Sequence, residues 1–484
     1  MNYKIMSRFL SNILLLESLF MIPALLISFG EGNLNAATAF LITIAATALC
    51  GIAMRFYGRN AKKSMFAREG LVCTGLTWVL VSLFGALPFY FSGEIPSYID
   101  ALFEIVSGFT TTGASILKNV EAMSMGMLYW RSFSHWLGGM GILVFLLALT
   151  STKGNNSGIT LHLLRAESPG PSVEKLVPSM RKSTTYLYGI YLALTILDIF
   201  FLMLGDLPLF DAVCTAFGTA GTGGFGIKAD SIAGYSPYIQ VVCTVFMMLF
   251  GINFNIYFFG LIGKFKDIFK DEELRFYLGT FAVSAALIAF NISGLYSTVS
   301  EAIRHSTFQV ASIMTTTGFA TADFDLWPGF SKMILLVLMI CGASAGSTGG
   351  GLKCSRVLLI LKSAKRTIQK FLFPNRVSVI RMNGNPVDEK IIDTTNKYLG
   401  IYFLIMFISV ILISVDNFSI TTNISAMLAC LNNIGPGFDA VGPTCNYFDY
   451  SIFSKIVLII DMLAGRLELI PILCLFAPAT WKRR

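Results

Sequence analysis

Four short segments rich in glycine and hydroxyl side chains recur along the chain. They read SGFTTTGAS (Ser107–Ser115), AFGTAGTGGFG (Ala216–Gly226), SIMTTTGFATADFD (Ser312–Asp325) and LNNIGPGFDAVG (Leu431–Gly442). A ring of inward-facing backbone carbonyls needs dihedrals that include positive φ, and glycine reaches these without a steric penalty. Lacking a Cβ, it also lets the backbone come close to an ion. The hydroxyls of Thr110, Thr111, Thr112, Thr222, Thr315, Thr316 and Thr317 offer further oxygens. Oxygens set this way can replace the water shell of a dehydrated K⁺ or Na⁺. The candidate ion ligands are Thr111, Thr112 and Gly113; Thr222 and Gly223; Thr316, Thr317 and Gly318; and Asn433, Ile434 and Gly435. Gly113, Gly223, Gly318 and Gly435 are the four centres. The fourth segment has no Thr at its ligand positions, so the ring is chemically uneven.

The elements that must hold these loops follow from hydropathy. Each segment is preceded by an apolar stretch shorter than the ~20 residues a helix needs to cross a bilayer. It therefore reads as a half-helix entering the membrane and turning back. Irregular backbone at that depth is tolerated only where protein or a water-filled cavity receives its polar groups. An acid recurs at the head of the half-helices, as Asp100, Asp211 and Glu301, with none at Thr421. The four glycines are spaced by roughly a hundred residues, too long for a solenoid repeat but enough for two spans, a pore loop and connections.

Ten spans fit the hydropathy, near 9–29, 36–56, 71–91, 127–150, 185–205, 236–262, 276–295, 330–352, 398–415 and 452–478. The first is long enough to span and lacks a cleavage site, so it reads as a helix, not a signal peptide. The predicted fold is an all-α polytopic membrane protein. Four pseudo-symmetric helix–pore-loop–helix repeats surround one pore, with two extra N-terminal transmembrane helices. The boundaries are 1–69 for the extension, then 70–152, 153–274, 275–395 and 396–484 for the repeats.

Composition agrees. Of 484 residues, 55% are hydrophobic and 13% charged, against about a quarter charged in soluble domains. The net charge of +8 needs no nucleic acid, because the basic residues gather on one side. With Lys4 and Arg8 cytoplasmic, the cytoplasmic loops hold Arg55, Arg59, Lys62, Lys63 and Arg68; Lys153, Arg165, Lys175, Arg181 and Lys182; Lys264, Lys266, Lys270 and Arg275; and the basic stretch 353–397. The tail ends Lys482-Arg483-Arg484. The outer connections carry mainly acids, among them Glu94, Asp100, Asp211, Asp325 and Asp439. This is the positive-inside pattern, with both termini cytoplasmic and the basic residues meeting anionic lipid. The acidic rim either concentrates cations at the pore mouth or is ordinary solvated loop charge. Nine scattered cysteines and three separated histidines offer no metal-ligand cluster, and no bound cofactor is expected.

Two motif matches fail on context. Gly221–Gly226 fits GxGxxG but follows a short apolar helix on the outer side, where a dinucleotide site needs a preceding strand. Gly346–Lys353 resembles a phosphate loop but has Leu352 where Lys should follow the last glycine. With no catalytic constellation, the chain is not expected to be an enzyme. The run Gly346, Ser347, Thr348, Gly349, Gly350, Gly351 interrupts span 330–352, and each glycine costs on the order of 1 kcal/mol in a helix. It reads as a loop below the third filter segment, a candidate gate, or else as close helix packing through small residues. Arg466 lies about fifteen residues into an apolar run, ~22 Å along a helix. A charge there faces either a watery cavity or an acid, Glu468 or Asp461.

In combination these segments resemble the Trk/Ktr/HKT superfamily of cation transporters, and within it the TrkH branch. The resemblance rests on the four glycine segments, HWLGGMGILVF (His135–Phe145), RAESPGPSVEKLVPSMRKS (Arg165–Ser183), GASAGSTGGGLK (Gly342–Lys353) and MLAGRLEL (Met462–Leu469). It covers nearly the whole chain, and the two extra N-terminal helices favour TrkH over the shorter KtrB type. It implies potassium as the transported ion, moving down its electrochemical gradient. It implies a homodimer and a cytoplasmic ring of TrkA-type nucleotide-binding subunits that control the gate. It maps the filter glycines onto Gly113, Gly223, Gly318 and Gly435, the gating loop onto Gly346–Gly351, and the pathway arginine onto Arg466. Relatives that pass Na⁺ often have Ser at the first filter glycine, so Gly113 favours K⁺. A Na⁺ or K⁺/H⁺ symporter on the same fold is the alternative, with Asp461 as the acid it would need.

Overall fold

A computed structural model describes residues 1–60, 67–141, 180–376 and 378–481. Residues 142–145 of the first motif, most of Arg165–Ser183, and Lys62, Lys63, Lys153, Lys175 and the basic tail lie outside them. Among the described residues the chain is helical apart from one two-stranded hairpin, Arg381–Met382 paired with Asn385–Pro386. An N-terminal pair, Tyr3–Glu31 and Leu34–Tyr57, precedes a unit that recurs four times. Each unit has a leading helix, a short pore helix, a loop and a trailing helix.

The leading helices are Ala67–Gly85, Met180–Leu204, Glu272–Ile292 and Glu389–Ile413. The pore helices are Tyr98–Phe109, Leu209–Gly221, Val299–Met314 and Ile420–Leu431, all too short to span. Their starts are encoded locally. Ser97, Thr298 and Ser419 accept backbone N–H groups of the first turn, and the second helix opens after Pro208. Asp100, Asp211 and Glu301 sit in first turns, where a carboxylate complements the positive end of the helix dipole. At the other end, each negative terminus runs straight into one of the four glycine loops.

The trailing helices are Met125–Gly139, Pro237–Phe250, Gly329–Ile340 and Ile452–Arg466. Among the described residues, six helices are long and apolar enough to cross a membrane unbroken, seven if a bent pair counts as one. Span 236–262 is broken by an 88° bend between Pro237–Phe250 and Phe254–Leu261. Span 330–352 stops being helical at Ile340, and span 452–478 breaks after Arg466 and resumes at Ile470. The fourth leading helix starts at Glu389, earlier than the expected 398. Two trailing helices pass the pore helices at glycine: a Cβ on Gly138 or Gly465 would overlap the carbonyl oxygen of Phe109 or Leu431, the last residues of the first and fourth pore helices. In the fourth helix, Glu468 and Leu469 are both left-handed, with φ 53° and 67°.

The largest buried side chains, including Trp78, Trp130, Phe103 and Phe109, pack between the N-terminal pair, the first pore helix and its neighbours. Outward faces are apolar instead of polar, with Phe290, Phe407, Ile411 and Leu204 all exposed. That inverts the soluble pattern, as lipid contact requires.

Candidate functional site

The four pore helices end in the same way. The residue two past the regular helix turns left-handed at Thr111, Thr316 and Asn433, with φ 56°, 58° and 55°, and Thr222 matches them at 53°. The next N–H reaches five residues back: Thr112 to the Ser107 carbonyl, Gly223 to Gly218, Thr317 to Ser312 and Ile434 to Ala429, at 2.8–2.9 Å. The left-handed N–H also reaches three residues back, as from Thr111 to Gly108 at 3.1 Å. This bond pair is a Schellman cap, which normally places glycine at the left-handed position. Three threonines hold it here. A β-branched residue in that conformation is strained by on the order of 1–3 kcal/mol, a signature that clusters at functional sites.

Two residues on, a second positive φ falls on Gly113, Gly224, Gly318 and Gly435, at 80°, 75°, 84° and 101°. This corrects the register of the second loop. The counterpart of Gly113 is Gly224, and Gly223 is the counterpart of Thr112, Thr317 and Ile434. These glycines interlock in a cycle. A Cβ on Gly113 would overlap the Gly223 oxygen, one on Gly224 the Thr317 oxygen, and one on Gly318 the Ile434 oxygen. The circuit closes on itself, for a Cβ on Gly435 would lie 2.7 Å from the Thr112 oxygen. All eleven expected ligands lie in these four loops. Loops one and three are further alike, with Thr110 bonded to Thr112 and Thr315 to Thr317, both at 2.8 Å. In the fourth, Asn433 donates to Thr112 Oγ1 at 2.9 Å and to the Met462 carbonyl at 3.0 Å.

Several bracing residues escaped the sequence reading. His135 Nε2 accepts the Phe225 N–H at 3.2 Å, so its Nδ1 carries the proton and donates to the Gly108 carbonyl at 2.8 Å. The imidazole thus fills the space against Gly223, joining the first loop to the second. Above it, buried Arg131 pairs with buried Glu104 at 2.6 Å, donates to the Gly226 carbonyl at 2.9 Å, and lies 3.5 Å from the Phe225 ring centre. Lys455 on the fourth trailing helix pairs with Asp100 on the first pore helix at 2.7 Å, closing the circle between repeats four and one. The available signal was charge inside apolar runs, the same one that picked out Arg466.

Below the ring, the glycine run forms a loop, which resolves the choice between loop and packed helix. Its neck is pinched where Gly342 N–H donates to the Leu352 carbonyl at 2.8 Å and Cys354 N–H to the Ala343 carbonyl at 3.0 Å. Its descending arm lies directly under the loops: Gly350 N–H donates to Thr316 Oγ1 at 2.6 Å. A Cβ on Gly350 would come within 2.5 Å of the Asn432 oxygen, and one on Gly349 within 2.9 Å of the Thr315 oxygen. Gly346 is left-handed at φ 71°, and its carbonyl accepts the Phe254 N–H at the bend of the second trailing helix. Ser347 Oγ donates back to Ser344, Thr348 Oγ1 to Phe250, and Lys353 to the Gly349 carbonyl.

Arg466 donates to the Thr348 carbonyl of this loop at 2.9 Å, to the Gly139 carbonyl at 2.6 Å and to the Gly138 carbonyl. It therefore links the glycine loop to the last turn of the first trailing helix. Of the two acids named as partners, Glu468 pairs with Arg356, and Asp461 accepts from Ser409 at 2.7 Å.

Comparison with known proteins agrees with this architecture. The TrkH family profile, described as cation transport protein, matches residues 36–483. The chain is 32% identical over the whole of both chains to the Trk system potassium uptake protein TrkH of Halomonas elongata. It is 34% identical to the protein of that name from Escherichia coli K12, covering 93% of each. The crystal structure of the potassium transporter TrkH from Vibrio parahaemolyticus superposes with a TM-score of 0.88 at 28% identity, covering all of both chains. The chain belongs to the TrkH family of cation transport proteins.

Proposed function

We propose that this chain takes up potassium across the cytoplasmic membrane, down its electrochemical gradient, through the ring formed by the four glycine loops. The observation that carries the reading is the closed cycle in which each loop's glycine abuts the next loop's carbonyl. Four interlocked strands of backbone give a fixed set of oxygens, and the negative ends of four pore helices converge on them. Such a ring exchanges hydration water for carbonyls at little reorganisation cost. Thr111, Thr112, Gly113, Thr222, Gly223, Gly224, Thr316, Thr317, Gly318, Asn433, Ile434 and Gly435 make up the filter. Relatives named as potassium uptake proteins support potassium as the ion.

The loop Gly346–Gly351 is the gate, held under the filter by Arg466. The chain works as a homodimer with a TrkA-type cytoplasmic regulatory ring, and both termini face the cytoplasm. The test is growth at low potassium of cells lacking their own high-affinity uptake, with this chain and its regulatory subunit expressed. Rescue with ⁸⁶Rb⁺ accumulation is expected. Rescue that requires sodium and brings no ⁸⁶Rb⁺ into the cell rejects the proposal.

A further inference from the structure

Three consecutive residues at the cytoplasmic start of the third leading helix touch three different structures. Glu273 is buried, and its Oε1 accepts the Ala345 N–H at 2.7 Å and the Ser355 N–H at 2.9 Å. Ala345 lies on the ascending arm of the glycine loop. Ser355 lies just past its descending arm, in the first turn of the helix Cys354–Leu372. One oxygen therefore holds both arms together from outside the loop. Glu272 pairs with Lys362 of that same helix, and Lys362 also donates to the Arg381 carbonyl of the β-hairpin at 2.7 Å. Asp271 accepts Asn383 Nδ2 at 2.9 Å, while Asn383 Oδ1 accepts the Glu272 N–H at 2.8 Å. Asn383-Gly384 is the turn of the hairpin, both residues left-handed at φ 51° and 81°, as a two-residue type I′ connection requires.

The hairpin is itself anchored. Ile380 and Leu359 pack with Ile392 of the fourth leading helix, and Arg366 makes a two-pronged contact with Glu389 at 2.5 and 3.2 Å. The hairpin, the basic helix and the starts of two leading helices thus form one cytoplasmic block. Its single side-chain grip on both arms of the glycine loop, among the described residues, is Glu273.

We propose that Asp271-Glu272-Glu273 is the junction that transmits displacement of the cytoplasmic hairpin to the gate, with Glu273 as the positioning residue that latches the loop. The inference rests on the gate reading of Gly346–Gly351. The loop arms are otherwise joined by backbone bonds at the neck, which persist if the loop swings as a unit. The Glu273–Ala345 bond does not persist, because its acceptor belongs to the leading helix and not to the loop. A pull on the hairpin moves Asn383 and Lys362, tilts the helix start through Asp271 and Glu272, and withdraws the Glu273 oxygen from the Ala345 N–H.

The experiment measures ⁸⁶Rb⁺ flux by the full chain in proteoliposomes, with and without the regulatory subunit. Glu273→Ala removes the acceptor and is expected to raise subunit-free flux several-fold. Glu273→Gln keeps an oxygen in place and is expected to stay closed like wild type, a rescue that a loss of charge alone would not give. Should Glu273→Ala yield no folded protein, Glu273→Asp, one methylene short, carries the same expectation as Ala. Asn383→Gly keeps the turn and removes both hairpin bonds, so stimulation by the subunit should fall while basal flux is unchanged. Deletion of Gly346–Gly351 is run alongside. If the deletion raises flux and neither Glu273→Ala nor Glu273→Asp does, the latch is wrong and the gate stands. If the deletion leaves flux unaltered in folded protein, the gate reading itself falls. Gln behaving like Ala, or full stimulation in Asn383→Gly, also overturns the junction.

Discussion

The ring and the loop beneath it are both built of glycine, yet they are held in opposite ways. Around the ring, each glycine is closed in by a neighbouring carbonyl, and each loop is capped by backbone bonds to its own pore helix. The glycine loop is crowded by carbonyls too, but it is tied to its surroundings largely by side chains, Thr316, Lys353, Arg466 and Glu273, with backbone bonds to the bend of the second trailing helix at Gly346 and Ser344. Interlocked backbone cannot move one strand without moving the next. Side-chain bonds can be exchanged for water or for each other at about 1 kcal/mol net each. On the proposed reading, the same residue type serves rigidity in one place and motion in the other.

The sharpest way to break this comparison is to add one carbon to the ring. Gly224→Ala or Gly318→Ala drives a Cβ into a carbonyl oxygen, and overpacking of that kind costs about 1–3 kcal/mol, roughly ten- to hundredfold in ion occupancy. Potassium flux should fall by that factor and relative Na⁺ permeability should rise, read by bi-ionic reversal potential. Gly113→Ser should do the same. Gly435→Ala should be the mildest of the four, because its closest oxygen is farther away. Equal effects at all four positions would mean that the crowding does not set selectivity.

The loop responds in the opposite sense. Replacing Arg466 should raise flux, not lower it. Two unit charges ~6 Å apart at an effective dielectric of ~20 repel by roughly 3 kcal/mol, about a hundredfold in local cation occupancy. Arg466→Ala removes both that repulsion and the tie to the Thr348 carbonyl. Arg466→Lys keeps the charge but loses the fork that spans Thr348, Gly138 and Gly139, so it separates the two contributions. Unchanged flux per folded molecule, with a collapse in yield, would make Arg466 a structural residue.

Much of this division was legible before the structure. Thr-Thr-Thr-Gly in the first and third loops, and the apolar stretches too short to span, are enough to place pore helices and a ring. The second loop was off by one residue because Gly221, Gly223, Gly224 and Gly226 look alike in a string. The pair Gly224-Phe225 matches Gly318-Phe319 and carried the right register. What hydropathy could not reveal was where the trailing helices break. The close approach of pore-helix carbonyls at Gly138 and Gly465 was hidden as well, because it joins residues distant in the chain. For the same reason Glu273 gave no signal, since its two partners lie 72 and 82 residues away.

The smallest expected effect lies at the outer rim. Hydrogen bonds from Ser419 and Thr422 hold the Asp439 carboxyl below the usual carboxylate range. With its folded pKa depressed, Asp439 contributes its negative charge and its anchoring of the fourth pore helix above the ordinary carboxylate pKa. Both are lost only as pH falls through the lowered value. Asp439→Asn should weaken uptake at low potassium about twofold at low salt and less as salt screens the mouth. A salt-independent loss would assign the residue to loop structure instead of ion attraction.

The central claim is that four interlocked loops form one potassium-selective ring. It is tested most directly by the reversal potential of the full-length protein in a planar bilayer, with K⁺ on one side and Na⁺ on the other. The account predicts reversal close to the potassium equilibrium potential in wild type and a shift toward the sodium value in Gly224→Ala, the residue that register alone identifies. Reversal near zero in wild type, or no shift in Gly224→Ala beside a shift in Gly223→Ala, would contradict it.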